Sequence, residues 1–135
     1  MIYSELNADD LRGCTIADYL ISIEASFQVV DRSAVIYAED CFPVAELARE
    51  LGRWIASGEG AAGDFSFESL SFEDPGAVQI SRAEPGWQVG SIFEPTTTSA
   101  PQSWAELEDR VGDFISNVRR DVLGLGIDPH FIGPG

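Results

Sequence analysis

The chain has 135 residues, of which 23 are acidic and 8 are basic, and its formal net charge is -15 at pH 7. A charge of this sign and size repels nucleic acid and anionic membranes, and it favours encounter with basic proteins. Because 44% of the residues are hydrophobic and 10% are aromatic, the composition excludes a disordered acidic tail. We expect a single folded domain over residues 1–135.

The first half of the chain predicts a strand hairpin followed by a helix. Residues 19–29 alternate between apolar and polar side chains, which is the period of a half-buried strand. The polar residues 31–33 interrupt this pattern, and residues 34–38 predict a second strand. From Pro43 to Ile55 apolar residues recur at helical spacing, and a glycine-rich loop, 58–63, follows. The opposite face of this helix carries Glu46, Arg49, Glu50 and Arg53.

The second half predicts a three-stranded meander over 64–94, with a bulge near 68–69 and turns at 74–76 and 84–86. Residues 96–102 read as a loop. Ser103 and Glu106 have the spacing of a capping box, and the apolar stripe that follows predicts a helix that stops near Gly126. We expect the tail from Asp128 to Gly135 to be mostly irregular.

This order of elements predicts an α+β fold, in which one antiparallel sheet of about five strands has two helices packed on one face. The other face of the sheet is then polar and free to meet solvent or a partner. The residues proposed to form a binding surface there are Glu24, Gln28, Glu68, Gln79 and Gln88.

The side chains that most often perform catalysis are scarce. The one histidine, His130, lies in the tail beside Pro129, and Cys14 and Cys41 match no metal or redox motif. The carboxylate next to Cys41 raises the pKa of a thiol, which makes Cys41 a poor nucleophile. We therefore expect no catalytic residue, no metal and no cofactor. Of the three tryptophans, Trp87 and Trp104 are interpreted as core anchors, or as binding hot spots if they are exposed.

The two cysteines and the N-terminus also bear on the compartment. A disulfide between Cys14 and Cys41 stays open from the sequence, although two buried thiols in a reducing cytoplasm are favoured. The first ten residues lack a basic region followed by an apolar run, so no signal peptide is expected. No apolar stretch approaches the roughly 18 residues that a membrane span needs. These observations predict a cytoplasmic protein.

Three segments resemble an uncharacterised family of small acidic proteins from actinobacteria. They are ADYLISIEASFQVV (17–30), CFPVAELARELGRWI (41–55) and FSFESLSFEDPGAVQISRAEPGWQVGSIFE (65–94). The resemblance runs from about Ile16 to Asp128 and implies a domain without an assigned activity. The size, acidity and α+β layout also resemble immunity proteins of bacterial polymorphic toxin systems, which is a likeness of architecture and charge.

These observations favour a non-enzymatic acidic binding protein, as an immunity-type inhibitor of a basic partner such as a toxin. Nucleic acid and membranes are not expected as partners, and the protein itself is expected to be a monomer or a homodimer. One alternative is a structural or regulatory homo-oligomer. Another is a hydrolase with paired carboxylates, for which the adjacent acids at 9–10, 39–40, 73–74 and 108–109 are the candidates.

Overall fold

A computed structural model describes residues 1–32, 34–59, 61, 63–84 and 86–133 of the chain. The described elements, in chain order, are β1 (Ile2–Asn7), α1 (Ile16–Ser22), β2 (Glu24–Asp31), β3 (Ala34–Phe42), α2 (Val44–Ala56), β4 (Phe65–Ser66), β5 (Gln79–Arg82), β6 (Trp87–Ser91), β7 (Glu94–Thr98), α3 (Trp104–Gly124) and a 3-10 segment (Pro129–Ile132). The α+β class is confirmed. The prediction of one sheet of about five strands is wrong, because β1–β3 and β4–β7 form two separate antiparallel sheets.

Helix α1 occupies the segment in which the alternating pattern predicted the start of a strand. The Thr15 hydroxyl accepts a hydrogen bond from the backbone N–H of Asp18 at 3.2 Å, and the Asp18 carboxylate accepts one from the N–H of Thr15 at 3.1 Å. This capping box satisfies two backbone donors that a helix start otherwise leaves free. The strand predicted over 19–29 therefore begins only at Glu24, and a third helix joins the two that were predicted.

The first sheet has β2 at its centre, with β1 and β3 on either side. Strand β1 was not predicted, and β3 extends beyond the predicted 34–38 to Phe42. Within β2 the predicted alternation is confirmed, because one face is buried and the other is partly exposed. The buried face carries Ala25, Phe27 and Val29, and the open face carries Glu24, Ser26 and Gln28.

The three-stranded meander predicted over 64–94 is confirmed in its order, because β4, β5 and β6 are consecutive antiparallel neighbours, and β7 adds a fourth strand. Strand β4 has two residues, residues 67–78 form no regular element, and Glu94–Thr98 is a strand although residues 96–102 were predicted to be a loop. Glu46 of α2 was predicted to face solvent but is 4% exposed. Its carboxylate accepts hydrogen bonds from the Ser69 hydroxyl at 2.5 Å and from the Leu70 N–H at 3.1 Å. This anchored loop, and not a bulge, occupies residues 68–69.

Helices α2 and α3 pack against each other and join both sheets through one continuous cluster of buried side chains. The predicted cap of α3 is confirmed, since the Ser103 hydroxyl accepts the N–H of Glu106 at 3.1 Å. The tail is not irregular as predicted, because Pro129–Ile132 forms a 3-10 segment. Arg119 fixes this segment by donating hydrogen bonds to the carbonyls of Pro129 and Gly133.

A few predicted features lie outside the described residues: Ser33 and Pro85 in two predicted turns, Gly60 and Ala62 in the glycine-rich loop, and Pro134 and Gly135 in the tail. Gly86, which follows one of these positions, requires the absence of a side chain. A Cβ there would lie 2.2 Å from the carbonyl oxygen of Gln102. Among the described residues, no helix combines the length and apolar character needed to cross a membrane.

Candidate functional site

Both neighbours of β2 bulge opposite the same stretch of that strand. On β1, two residues lie between the partners of Ser26 and Glu24, where an unbroken ladder has one. On β3, two residues lie between the partners of Phe27 and Ala25. A β-bulge redirects side chains, and bulges are common beside functional sites. Paired bulges at one level of the sheet single out this part of its open face.

Each bulge holds a residue other than glycine in the left-handed backbone region. Glu5 on β1 has φ 58°, and Cys41 on β3 has φ 55°. This conformation costs about 1–3 kcal/mol for such residues, and it persists where the surrounding structure enforces it. The bulges carry Glu5 onto the same face as Ser26 and Asp40. Local strain and a specific arrangement of side chains therefore coincide.

Four carboxylates from different parts of the chain lie around this spot: Glu5, Asp10, Glu24 and Asp40. Together with Ser26 and Cys41 they form what we call the acidic bulge face. The Ser26 hydroxyl lies 3.1 Å from an oxygen of Asp40 on β3 and 3.4 Å from an oxygen of Glu5 on β1, and it donates its one hydrogen to either of them. A shallow depression of about 190 Å³ is lined by Glu5, Asn7, Ala25, Ser26, Asp40 and Cys41. Glu5, Asp10 and Asp40 are exposed, whereas Glu24 is half-buried.

The negative charge of this face has no cationic partner within the described chain. The two ion pairs of the described residues are elsewhere: Arg53 with Glu50 at 3.6 Å, and Arg120 with Asp121 at 3.0 Å. No group of three or more His, Cys, Asp or Glu side chains among the described residues is arranged to hold a metal ion. The carboxylates are therefore available to cationic groups from outside the chain.

The pKa of the Cys41 thiol responds to the negative charge of the surrounding carboxylates. The Glu24 carboxylate on the neighbouring strand, followed by slight loss of hydration and then by Asp40, raises the pKa of the exposed Cys41 thiol. The predicted direction is confirmed, but the main cause is a residue across the sheet and not the adjacent Asp40. A raised pKa keeps the thiol protonated at neutral pH, so its nucleophilicity is low. The arrangement suits the binding of cations better than attack on a substrate.

The residues proposed to form the polar sheet face lie in three places. Glu24 and Gln28 share the open face of the first sheet, and Glu24 belongs to the acidic bulge face. Gln79 and Gln88 lie on β5 and β6 of the second sheet, where the register places them on one face. Glu68 is exposed in the loop that follows β4. Only Glu24 of this set is part of the carboxylate cluster, and the pattern along the sequence did not reveal Glu5, Asp10 or Asp40 as its neighbours.

A family model described as "Domain of unknown function (DUF7878)" matches residues 2–124. The chain belongs to this family. The predicted likeness to a family without an assigned activity is thereby confirmed. No curated protein and no solved structure matches the chain. In this DUF7878 domain the matched range includes all three strands of the acidic bulge face, whereas the 3-10 segment lies beyond it.

The aromatic residues of the DUF7878 domain form a second distinctive cluster. The ring centroids of Trp54, Trp87 and Trp104 lie 5.2 to 5.6 Å apart. Trp87 is 2% exposed and donates from Nε1 to Glu59 at 3.1 Å, so its interpretation as a core anchor is confirmed. Trp54 and Trp104 are half-buried at the edge of this core. The cluster joins α2, β6 and α3, and its contacts are those of a packing unit.

The remaining candidate residues of the DUF7878 domain are exposed. Cys14 and Cys41 are both exposed and unpaired, so the expectation that they are buried was wrong. His130 is exposed in the 3-10 segment, whose first turn is capped by Asp128 through the backbone N–H of His130 at 3.0 Å. No hydrogen bond or ion pair of the described residues joins any two of Cys14, Cys41 and His130.

Proposed function

We propose that this DUF7878 domain is a cytoplasmic, non-enzymatic binding protein whose acidic bulge face engages a basic partner protein. The observation that carries the proposal is the convergence of four carboxylates on one strained part of the sheet, without a cationic side chain paired to them among the described residues. Such an arrangement is complementary to a lysine or arginine side chain of a partner.

Both the acidic bulge face and the net charge of the whole molecule attract a basic partner. Two opposite unit charges 4 Å apart attract by about 1 kcal/mol in bulk water and by about 4 kcal/mol at the effective dielectric constant near a protein surface. The Ser26 hydroxyl has one hydrogen and donates to only one of Glu5 and Asp40 at a time, so the other carboxylate keeps both oxygens free for a cationic group. The net charge of -15 adds long-range steering of a basic partner, which raises its association rate.

In its sharpest form the proposal is an immunity-type inhibitor of a basic toxin, for example a nuclease. The carboxylates of the acidic bulge face would occupy positions on the toxin that nucleic-acid phosphates otherwise take. The same charge disfavours nucleic acid and anionic membranes as partners of this domain. Two exposed and unpaired thiols support a reducing compartment such as the cytoplasm.

The test is affinity capture from the source organism with three forms of the chain. The first is wild type, and the second is the face variant Glu5→Gln, Glu24→Gln, Asp40→Asn. The third is a helix variant with the same net charge, Glu108→Gln, Asp109→Asn, Asp113→Asn, in which three exposed carboxylates of α3 are neutralised. We expect wild type and the helix variant to retain one basic protein and the face variant to lose it. Equal capture by both variants, or no basic protein in any capture, would overturn the proposal.

Two alternatives predict different outcomes with the same variants. If the domain is a homo-oligomer that associates through this face, neutralising its carboxylates removes repulsion between copies, so self-association of the face variant strengthens in sedimentation experiments. If the domain is a hydrolase that uses paired carboxylates, the face variant loses turnover of a substrate without losing a protein partner. A basic-partner binder shows neither change.

A further inference from the structure

The opposite sign of charge appears in a cleft between α2 and the 3-10 segment. This cleft has a volume of about 480 Å³, which is within the range of small-molecule sites. Its lining is mainly apolar, but it includes two of the eight arginines and the single histidine of an otherwise acidic chain. The residues that matter here are Arg49, Arg53, Ile55, His130, Phe131 and Ile132.

Arg49 is the unusual member of this cleft. Its Nη1 nitrogen is buried and has no hydrogen-bond partner among the described residues. Arg49 as a whole is half-buried, and native structures normally satisfy a buried donor such as its Nη1. Arg53, by contrast, is largely exposed and contacts Glu50. Because Arg49 also lines the cleft, a bound anion would give its guanidinium an acceptor that the described residues do not supply.

The walls of the cleft are held in place independently of any ligand. Arg119 donates to the carbonyls of Pro129 and Gly133, Ile132 is 3% exposed, and the ring of Phe131 lies 5.1 Å from that of Tyr19. The 3-10 segment is therefore a packed wall. It also lies beyond the residues that the family model matches, so four of the nine lining residues of the cleft are outside that range.

We propose that this cleft binds a small organic acid, in which one carboxylate meets Arg49 and an apolar body packs against Ile55 and Phe131. The apolar lining favours a ligand with hydrocarbon or aromatic surface. The surrounding charge of -15 disfavours a polyanion, which limits the ligand to a single negative charge. The carboxylate then forms the charge-assisted hydrogen bonds for which a guanidinium is suited.

The experiment is an amide-resolved NMR titration of the full chain with 3-phenylpropionate and octanoate. Each acid is compared with its own neutral amide, and inorganic phosphate serves as an anion without an apolar body. We expect saturable shifts of Gly52, Phe131 and Gly133 with the acids. The amides and phosphate should bind about tenfold more weakly or worse, since each lacks one half of the recognition.

Three variants locate the site. Arg49→Gln should weaken binding of the acids about tenfold, and Ala56→Phe, at an exposed position that lines the cleft, should block it sterically. Arg12→Gln removes the same charge from an exposed residue outside the cleft and should leave binding unchanged. The Ala56→Phe variant keeps the test decisive if Arg49→Gln does not fold.

Several results would overturn the proposal. They are the absence of a saturable shift with both acids, equal binding of an acid and its amide, phosphate binding as tight as that of the acids, and equal losses from Arg49→Gln and Arg12→Gln. Each of these outcomes is independent of the acidic bulge face and of its partner. The cleft can therefore fail as a site while the proposed function stands, and the converse also holds.

Discussion

The acidic bulge face and helix α2 use charged side chains in opposite ways. On the acidic bulge face, carboxylates are largely exposed to water and have no ion-pair partner within the described residues. On α2, the buried carboxylate of Glu46 has two hydrogen-bond donors, whereas the buried Nη1 of Arg49 has no acceptor among the described residues. Exposed charges cost little and remain available for binding, whereas buried charges change the stability of the fold. The environment of a charge therefore indicates its role more reliably than its type does.

The largest expected effect is at Glu46. Glu46→Ala leaves the Ser69 hydroxyl and the Leu70 N–H without their acceptor, so we expect the free energy of unfolding to fall by about 2–3 kcal/mol. Urea denaturation of the variant measures this loss. Glu50→Ala on the same helix removes a carboxylate that is 36% exposed and paired with the exposed Arg53, so its effect should stay below about 1 kcal/mol. Equal losses in the two variants would contradict the contrast between buried and exposed acids.

At Arg49 we expect a substitution to raise the free energy of unfolding instead of lowering it. Arg49→Met removes a guanidinium whose Nη1 is buried without an acceptor among the described residues and keeps an apolar stem of similar length, so we expect it to stabilise the domain by about 1 kcal/mol. The same denaturation experiment measures the gain. Arg53→Met, at a side chain that is 62% exposed, serves as the control and should change little. A destabilised Arg49→Met variant would show that Arg49 is satisfied within the folded chain.

A chemical readout sharpens the comparison at Cys41. Glu24 is the largest cause of the raised pKa of this thiol, so Glu24→Gln should lower that pKa and increase the thiolate fraction at a given pH. We expect iodoacetamide to alkylate Cys41 faster in the variant, and the rate profile to shift to lower pH. The measurement uses a Cys14→Ser background, so that a single thiol reacts. An unchanged profile would mean that Glu24 does not act on the thiol.

The smallest stability effect should belong to the acidic bulge face. In the variant Glu5→Gln, Glu24→Gln, Asp40→Asn, the free energy of unfolding should change by no more than about 0.5 kcal/mol, because the side chains are largely exposed and their mutual repulsion is relieved. Thermal and urea denaturation measure it. A loss comparable to that of Glu46→Ala would assign these carboxylates a structural role.

Local patterns predicted much of the fold. The open and buried faces of β2, the apolar stripe of α3 and the Ser103 cap depend on neighbouring residues along the chain, and all three are confirmed. Helix α1 was missed although Thr15 and Asp18 have capping-box spacing, because the alternation of residues 19–23 matched a strand equally well. The capping-box spacing was therefore present in the sequence, but the alternation of apolar and polar residues favoured a strand over the helix that it begins.

The acidic bulge face depended on information that the sequence pattern does not contain. Its residues come from β1, the loop after it, β2 and β3, and two bulges bring them together. A bulge changes which residue opposes which, so the facing of Glu5 and Asp40 follows from the register of the folded sheet. The burial of Glu46 is similar, since a donor pair 23 and 24 residues away satisfies it.

The most direct test of the central claim is the rate of association between the domain and the basic partner obtained by capture, measured at low and high ionic strength. At low salt we expect the face variant to associate about tenfold more slowly than the helix variant of equal net charge, and we expect this difference to shrink as salt screens the charges. If the two variants associate at the same rate at every salt concentration, the charge of the whole molecule attracts the partner and the acidic bulge face has no specific part in binding.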